Sequence, residues 1–310
     1  MTSPTRTAVP VAAGTSPAQG LVDPIRRWWA GARVTRDGLP WRATRDPWRV
    51  LVAETMLAQT QVARVAPRYR EFVARFPTPE SCAVAPVGEV VRAWVGLGYN
   101  RRALALHSAA EAIVARHGGR VPGTLTDLLG LAGVGPYTAR AVLAFAFGAE
   151  AAAVDTNVGR VLARAAAGRR LRPGEAQTLA DGLVPPGSAR EWNLALMDFG
   201  SVVCASRDPA CGTCPVRACG ACAWRSAGAG VADPAVGSAR VTARQAPFEG
   251  SDRQGRGRLV RAACAGPIPA ADVARIAGWP QQAARARRVA AALVAEGILV
   301  AAPAGELSLA

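Results

Sequence analysis

The sequence contains no lysine, and all 37 basic side chains among its 310 residues are arginine. Catalysis through a Schiff base needs an amine nucleophile, which only the α-amino group on a loose N-terminal tail could supply here. Amine-based lyase chemistry is therefore disfavoured. Long apolar runs are absent too: none reaches the roughly 18 residues that a membrane span needs, and residues 1–20 do not resemble a secretory signal. We expect a disordered tail at residues 1–20, no membrane association and a cytoplasmic protein.

The charge balance is strongly basic. The arginines outnumber 22 acidic residues, which gives a formal net charge of +15 and a sequence pI near 11.1. The base composition of a genome would explain an Ala- and Arg-rich chain equally well, but the resulting field attracts a polyanion whatever its origin. The composition thus favours nucleic acid as a partner.

The hydrophobic pattern predicts an all-α domain over residues 21–225. Apolar residues recur there at three- and four-residue spacing, and short Gly/Pro segments separate the runs. Residues 226–247 are rich in Ala, Gly and Ser, and they predict a linker. Residues 248–310 predict a small C-terminal domain, made of a basic segment (Asp252–Arg258), two helices (Ala270–Ile276 and Pro280–Glu296) and a hairpin (Ile298–Val300 with Glu306–Leu309). That order is winged-helix-like, although any small helical tail domain would look similar.

A glycine-rich turn at Leu131–Ala139 joins two predicted helices. Gly133 and Gly135 permit positive φ and close approach of the backbone to another surface, and Pro136 suits the first turn of the following helix. Free N–H groups at such a helix start form an anion site, for example for a phosphate. An ordinary helix–helix turn is the alternative, and a lone Gly-x-Gly favours it.

Two carboxylates stand in contrasting surroundings. Glu54 lies in a helical run with apolar neighbours three and four positions away, where burial would raise its pKa and keep a proton available for general acid catalysis. The polar edge of the helix is the alternative, because Thr55 and Gln59 are nearby. Asp155 stands where a helix N-cap belongs, and backbone N–H groups at a cap stabilise the ionised form. One protonated carboxyl and one anion suit the cleavage of a glycosidic bond, although capping alone also explains Asp155.

Five of the seven cysteines are crowded into residues 204–222. Closely spaced thiolates in a cytosolic chain indicate a metal site rather than disulfides. Zinc and iron–sulfur clusters both use thiolate ligands, but a zinc ribbon separates its two Cys-x-x-Cys pairs by a much longer loop. Here the cysteines are separated by six, two, four and two residues, in the order Cys204, Cys211, Cys214, Cys219 and Cys222.

In combination these motifs resemble the helix-hairpin-helix DNA glycosylases with an iron–sulfur loop, and specifically the MutY-type adenine glycosylases. The resemblance runs from about Leu39 to Trp224, with motifs in the family's order at Leu39–Arg42, Glu54–Val62, Gly96–Tyr99, Leu131–Ala139, Val154–Val158 and the first three cysteines. It implies a helix-hairpin-helix glycosylase fold, a 4Fe–4S cluster, and double-stranded DNA with adenine mispaired with 8-oxoguanine or guanine as the substrate. We expect a nucleoid-associated monomer.

The resemblance also assigns roles to individual residues. Glu54 matches the acid that protonates adenine, Asp155 matches the carboxylate that stabilises the sugar cation, and Asn157 supports this site. Gln59 matches a side chain that enters the duplex beside the oxidised guanine. Tyr137, grouped with the catalytic residues, occupies the hairpin position where endonuclease III-type relatives carry their Schiff-base lysine. The other DNA- and base-binding positions are Trp41, Arg42 and Leu57 in the adenine pocket, Tyr99, and the hairpin residues Gly133 and Gly135.

Three features depart from the family pattern. After the ligands Cys204, Cys211 and Cys214, the fourth is Cys222, which we choose from its Cys-Ala-Trp context, or alternatively Cys219, because relatives usually place five residues after the third ligand. Leu194 stands where many relatives have a Gln or Glu that contacts adenine. The C-terminal segment does not resemble the Nudix-like domain that usually helps to recognise oxidised guanine.

Two other functions stay open from the sequence. One is an endonuclease III-like glycosylase with lyase activity on oxidised pyrimidines, and the missing lysine argues against it. The other is a non-catalytic iron–sulfur DNA-binding regulator, which would need neither Glu54 nor Asp155.

Overall fold

A computed structural model describes residues 17–32, 38–228, 230–238 and 247–310 of the chain. Within these residues the α-helices are α1 (Val22–Gly31), α2 (Pro47–Leu57), α3 (Val62–Arg75), α4 (Pro79–Ala83), α5 (Val87–Ala93), α6 (Arg101–His117), α7 (Leu125–Leu129), α8 (Pro136–Val142), α9 (Thr156–Val161), α10 (Pro173–Asp181), α11 (Ala189–Val202), α12 (Pro215–Ala218), α13 (Ala223–Ser226), α14 (Asp252–Ala265), α15 (Val273–Ala277) and α16 (Ala283–Ala295). Turns of 3-10 helix occupy Pro17–Leu21, Pro40–Arg42 and Ala270–Asp272, and π-helical turns occupy Leu143–Phe147 and Leu162–Ala167. The strands are β1 (Leu299–Ala301) and β2 (Leu307–Leu309).

The predicted helical fold is confirmed. None of the helices described is both long enough and apolar enough to cross a bilayer.

The described residues divide into two compact units. We call residues 17–32, 154–185, 191–228 and 230–238 the cysteine unit, and residues 38–153, 186–190 and 247–310 the hairpin unit. The domain boundaries expected near residues 225 and 248 stay predictions. Residues 1–16 of the predicted tail, and residues 229 and 239–246 of the predicted linker, lie outside the described residues.

Part of the predicted linker is packed within the cysteine unit. The indole Nε1 of Trp224 donates to the carbonyl oxygen of Val231 at 3.0 Å, and Asp233 pairs with Arg164 at 2.5 Å. Ser238 is buried, and its hydroxyl oxygen accepts a hydrogen bond from the backbone N–H of Leu171 at 3.2 Å. Small residues dominate this segment, so its composition resembles a linker although its backbone is held in place.

Helix α2 begins with local signals and is then buried along most of its length. Asp46 caps it by accepting a hydrogen bond from the Arg49 N–H at 2.8 Å, and Pro47 occupies the first turn. From Trp48 to Met56 every residue except Arg49 is buried, and Glu54 is among the buried ones. A helix buried on all sides belongs to the core, so the exposed polar edge considered for Glu54 is excluded.

The C-terminal segment, residues 252–310, forms what we call the C-terminal module. The predicted order of two helices followed by a hairpin is confirmed by α15, α16, β1 and β2, and helix α14 precedes them. The strands pair antiparallel, with Leu299 opposite Leu309, and Ile268 makes an isolated bridge to Leu307. The module packs on α5, since a Cβ added to Gly88 would lie 2.4 Å from the carbonyl oxygen of Ala310.

The basic segment predicted at Asp252–Arg258 is the first half of helix α14. Its two glycines weaken the helical signal, but one of them has a packing role. A Cβ on Gly255 would lie 2.2 Å from the ring of Trp279, so only glycine lets the indole approach this helix so closely.

Candidate active site

Glu54 lies in the last part of α2 and is only 6% exposed. The hydroxyl of the next residue, Thr55, turns back to donate to the carbonyl oxygen of Leu51 at 2.8 Å, so it does not open a polar face on the helix. Because Glu54 is almost fully buried, its carboxyl has little contact with bulk water. This is the setting expected for a general acid.

Arg102 holds the C-terminal end of α2. Its Nη1 donates to the carbonyl oxygens of Thr55 at 2.8 Å and Met56 at 2.9 Å, and its Nη2 donates to Gly98 O at 3.1 Å. Carbonyls in the last turn of a helix lack intrahelical partners, and a cation there is favourable. Arg102 was not predicted from the sequence, because its acceptors on α2 lie more than 40 positions away along the chain.

Gln59 and Tyr99 are positioned by the two loops that Arg102 joins. Both are exposed, and both have positive φ, 58° and 49° respectively, a conformation that costs a non-glycine residue free energy and is often found at functional sites. They line the same cavity, of about 510 Å³. Leu57, at the last position of α2, is half-buried.

Trp41 and Arg42 lie in a 3-10 turn before α2. Trp41 is buried, with its ring 5.5 Å from that of Tyr69 in an edge-to-face arrangement. The buried Arg190 anchors the turn, because its Nη2 donates to the carbonyl oxygens of Arg42 at 2.6 Å and Thr44 at 3.1 Å. Arg190 was also not predicted from the sequence, because the two carbonyls that accept its hydrogen bonds lie more than 140 positions away along the chain.

The predicted hairpin joins α7 to α8. Gly133 has φ +74°, and a Cβ there would lie 2.7 Å from the Cβ of Ala105, so this position requires glycine. Gly135 does not use the positive φ that glycine permits: it caps α8 with φ −91°, and a Cβ there would meet nothing within 4 Å. Pro136 occupies the first turn as predicted, and the half-buried Tyr137 follows it.

Asp155 caps α9, as predicted. Its Oδ1 accepts from the Val158 N–H at 2.7 Å, and its Oδ2 accepts from the side-chain amide of Asn157 at 3.0 Å. Burial nevertheless raises the pKa of Asp155 above its ordinary value, although the hydrogen bonds from Val158 and Asn157 and the charge of Arg160 oppose this shift. The cap alone predicts a stabilised anion, so the raised pKa of Asp155 is a correction to the sequence-based expectation. The ionised form is destabilised here relative to water.

Arg160 connects Asp155 to the cysteine segment within the cysteine unit. This arginine is only 4% exposed; its Nη2 donates to Asn157 Oδ1 at 2.8 Å, and its Nε donates to the carbonyl oxygen of Cys204 at 2.7 Å. Its Nη2 also donates to the carbonyl oxygen of Gly200 at 2.5 Å. A Cβ on Gly200 would lie 2.8 Å from the carbonyl oxygen of Asn157, so glycine lets α11 approach α9.

Four of the clustered cysteines line one small cavity of about 20 Å³: Cys204, Cys211, Cys214 and Cys222. Cys219 is absent from its lining and exposed, and its Sγ donates to the carbonyl oxygen of Val216 at 3.3 Å. Among the described residues, no group of three or more His, Cys, Asp or Glu side chains is arranged to hold a metal ion.

Two arginines donate hydrogen bonds to the sulfur atoms of this cavity. Arg164 Nη1 lies 3.7 Å from Cys204 Sγ, and Arg225 Nε lies 3.3 Å from Cys211 Sγ. Burial raises the pKa of the Cys204 and Cys214 thiols. Cationic donors beside sulfur favour thiolate, the form that binds metals, and in this respect the donor set suits a thiolate-bound cluster.

Known proteins are similar to this chain in sequence and in fold. Residues 52–186 match the HhH-GPD superfamily base excision DNA repair protein family. The chain is 40% identical over 277 residues to the adenine DNA glycosylase of Mycobacterium tuberculosis, covering 87% of this chain and 88% of that protein. It is 39% identical over 287 residues to the adenine DNA glycosylase of Mycolicibacterium smegmatis, covering 91% and 94%.

Among solved structures, a thermostable thymine-DNA glycosylase superposes with a TM-score of 0.64 at 34% identity, over 68% of this chain and 98% of that one. The helical architecture, the hairpin and the extent of the sequence match agree. The chain therefore belongs to the MutY-type adenine DNA glycosylases, within the helix-hairpin-helix superfamily of base excision DNA repair proteins.

Proposed function

We propose that this enzyme removes adenine from duplex DNA in which adenine is mispaired with 8-oxoguanine or guanine, and that it does so by hydrolysis alone. The observation that carries the proposal is the burial of Glu54 on α2, at 6% exposure. It is supported by the 39–40% identity to adenine DNA glycosylases along most of the chain.

Binding begins with attraction between arginines and DNA phosphates, which is sequence-independent and salt-dependent. The hairpin at Gly133 and Gly135 contacts a phosphate, and Gln59 enters the base stack. Adenine leaves the duplex, because chemistry on a base requires access to its reacting atoms. It enters a pocket with walls formed by Trp41, Arg42 and Leu57, while Tyr99 contacts the opened duplex.

Glu54 then donates its proton to the imidazole ring of adenine, which leaves as a neutral base when the bond from the sugar breaks. The sugar gains oxocarbenium character, and the Asp155 carboxylate stabilises that charge. Asn157 orients this carboxylate through the bond to Oδ2. Water adds its oxygen to the sugar and releases a proton, which restores the acid. The burial that raises the pKa of Asp155 also lowers the effective dielectric constant around it. The Asp155 anion is therefore attracted more strongly to a nearby cation than a carboxylate in water would be.

Strand cleavage through a Schiff base is not part of this reaction. Tyr137 stands at the hairpin position where the lyase relatives carry lysine, and the sequence has no lysine at all. A phenol does not form the imine that this chemistry needs.

We further propose that Cys204, Cys211, Cys214 and Cys222 hold a 4Fe–4S cluster. Their shared cavity supports the choice of Cys222 over Cys219 as the fourth ligand. The cluster would supply folding energy to the loop around it and take no part in the release of the base. The enzyme would act as a nucleoid-associated monomer in the cytoplasm.

The test is single-turnover release of adenine from duplexes that pair adenine with 8-oxoguanine or guanine. A thymine:guanine duplex is included, because a structural neighbour is a thymine-DNA glycosylase. Glu54→Gln is expected to bind the adenine:8-oxoguanine duplex with unchanged affinity and to lose about 10²–10⁴-fold in rate, as is typical for removal of a general acid.

The matched control is Glu71→Gln, which removes an exposed glutamate of the hairpin unit and should leave the rate unchanged. Normal turnover by Glu54→Gln would refute the proposed acid. Strand breaks that form without alkali or heat would favour lyase chemistry instead.

A further inference from the structure

Arg190 lies at the start of α11 and is only 8% exposed. Its Nη1 donates to the carbonyl oxygen of Phe145, and its Nη2 donates to the carbonyl oxygens of Arg42 at 2.6 Å and Thr44 at 3.1 Å. Burial of a cation is costly unless its donors are used. These hydrogen bonds join three segments of the hairpin unit, and the proposed function gives Arg190 no part.

The contact with Phe145 is made near the end of a helical segment. Helix α8 continues into the π-helical turn Leu143–Phe147, which Gly148 ends with φ +68°. The last carbonyls of a helix lack partners within it, and a cation there is favourable. Phe145 is itself buried, so this end of the contact belongs to the packed core of the hairpin unit.

The contact with residues 42 and 44 is made in a segment with little regular structure. The 3-10 turn there is only three residues long, and the N–H of its last residue, Arg42, donates to the carbonyl oxygen of Leu39 at 2.9 Å. A guanidinium offers its donors in one plane, which fixes the direction of each hydrogen bond. Because one Nη2 is shared by two carbonyls that are two residues apart, Arg190 restrains the backbone on both sides of Ala43.

This turn carries Trp41 and leads into α2, the helix of the proposed acid. The ring of Trp41 lies 5.5 Å from that of Tyr69, so Tyr69 holds the side chain while Arg190 holds the backbone that follows it. Thr44 Oγ1 accepts a hydrogen bond from the backbone N–H of Asp46 at 3.0 Å, and Asp46 caps α2. A shift of the turn would therefore move Trp41 relative to α2.

We propose that Arg190 is a positioning residue that holds the Trp41–Arg42 turn in the shape that receives the extruded adenine. It acts through the backbone of the turn, and it neither contacts the base nor transfers a proton. This inference rests on the proposed function, which assigns Trp41 and Arg42 to the wall of the adenine pocket. A displacement of about 1 Å in a binding group can slow a reaction by about 10²-fold, so loss of Arg190 should weaken binding of the extruded base and slow its release.

The experiment separates binding of the base from binding of the duplex. One duplex carries 2′-fluoro-2′-deoxyadenosine opposite 8-oxoguanine, because fluorine at this position disfavours the oxocarbenium character that cleavage requires. The other duplex has the same sequence with a tetrahydrofuran abasic residue in place of that adenosine. Arg190→Met, which lacks the donors, is expected to bind the first duplex more weakly and the second with unchanged affinity.

Single-turnover release of adenine from the adenine:8-oxoguanine duplex gives the half-saturating enzyme concentration and the limiting rate. In Arg190→Met the half-saturating concentration should rise, and the limiting rate should fall by up to about 10²-fold. Arg190→Lys keeps the charge but not the planar set of donors, so it should recover part of the affinity for the base-bearing duplex and part of the rate.

The matched control is Arg75→Met, because Arg75 is an exposed arginine of the same unit that pairs with Glu89 at 2.5 Å. This control should leave both affinities and the rate unchanged. Thermal denaturation shows which variants are folded at the assay temperature, and if Arg190→Met is not, the same comparison with Arg190→Lys decides.

Equal weakening of both duplexes by the Arg190 variants would assign this arginine to the fold or to general DNA contact and overturn the inference, as would no weakening of either. If the unaltered enzyme releases no adenine, the proposed function itself fails. If it releases adenine and the Arg190 variants do not distinguish the two duplexes, only this inference fails.

Discussion

Replacing Arg160 by methionine tests how the cysteine segment supports the candidate catalytic carboxylate. Methionine fills a similar volume but donates no hydrogen bonds. The change removes the donors to Gly200 O at 2.5 Å, Cys204 O at 2.7 Å and Asn157 Oδ1 at 2.8 Å. Arg160 is only 4% exposed, so water cannot easily replace it.

The expected loss of stability follows from the two backbone carbonyls. A buried acceptor that loses its donor costs about 1–3 kcal/mol, which applies in full to Gly200 O. Cys204 O is part-buried and keeps a longer hydrogen bond from Arg164 Nη1 at 3.4 Å, so it adds only about 1 kcal/mol. The free energy of unfolding should therefore fall by about 2–4 kcal/mol. Asn157 is half-buried and can find water, so it adds little. A loss of this size is a large part of the 5–15 kcal/mol that typically stabilises a folded domain.

A second effect should appear in the rate. Without Arg160, the amide of Asn157 is free to turn away from Asp155 Oδ2, which it contacts at 3.0 Å. A hydrogen bond to a charged group contributes about 1.5–3 kcal/mol, so adenine release should slow by about 10- to 150-fold. The slowing should persist at temperatures where the variant is fully folded.

Urea denaturation followed by tryptophan fluorescence measures the first effect, and single-turnover kinetics on the adenine:8-oxoguanine duplex measures the second. Arg207→Met serves as the control, because Arg207 is an exposed arginine of the same unit and such surface changes usually stay within about 0.5 kcal/mol. A stability of Arg160→Met within about 1 kcal/mol of the unaltered protein would refute the reasoning.

Two further comparisons use pairs of similar residues. Gly133→Ala should destabilise the hairpin unit by about 1–2 kcal/mol or more, because its φ is +74° and its Cβ would meet Ala105, whereas Gly135→Ala should be nearly neutral in thermal denaturation; equal losses would contradict the assigned turn. Cys222→Ser should abolish most of the bound iron per chain and the visible absorbance of the cluster, whereas Cys219→Ser should retain both; the opposite result would make Cys219 the fourth ligand.

Local patterns in the sequence determined much of the fold. The cap at Asp155, the proline that opens α8 and the strands near Leu299 and Leu307 depend on residues within a few positions of one another. Short-range hydrogen bonding and steric limits act wherever such patterns occur, so they can be predicted without knowledge of packing. The motif order, which is also a property of the sequence, indicated the family.

Only the tertiary structure decided the environments of the functional groups. Periodicity left Glu54 between a polar edge and the core, and the packing around α2 places it in the core. The direction of the pKa shift of Asp155 depends on burial outweighing its cap. The contacts of Arg102, Arg160 and Arg190 join segments at least 40 residues apart. Burial and long-range hydrogen bonds arise only when distant segments pack together. No local pattern in an arginine-rich chain shows which arginines will form such bonds.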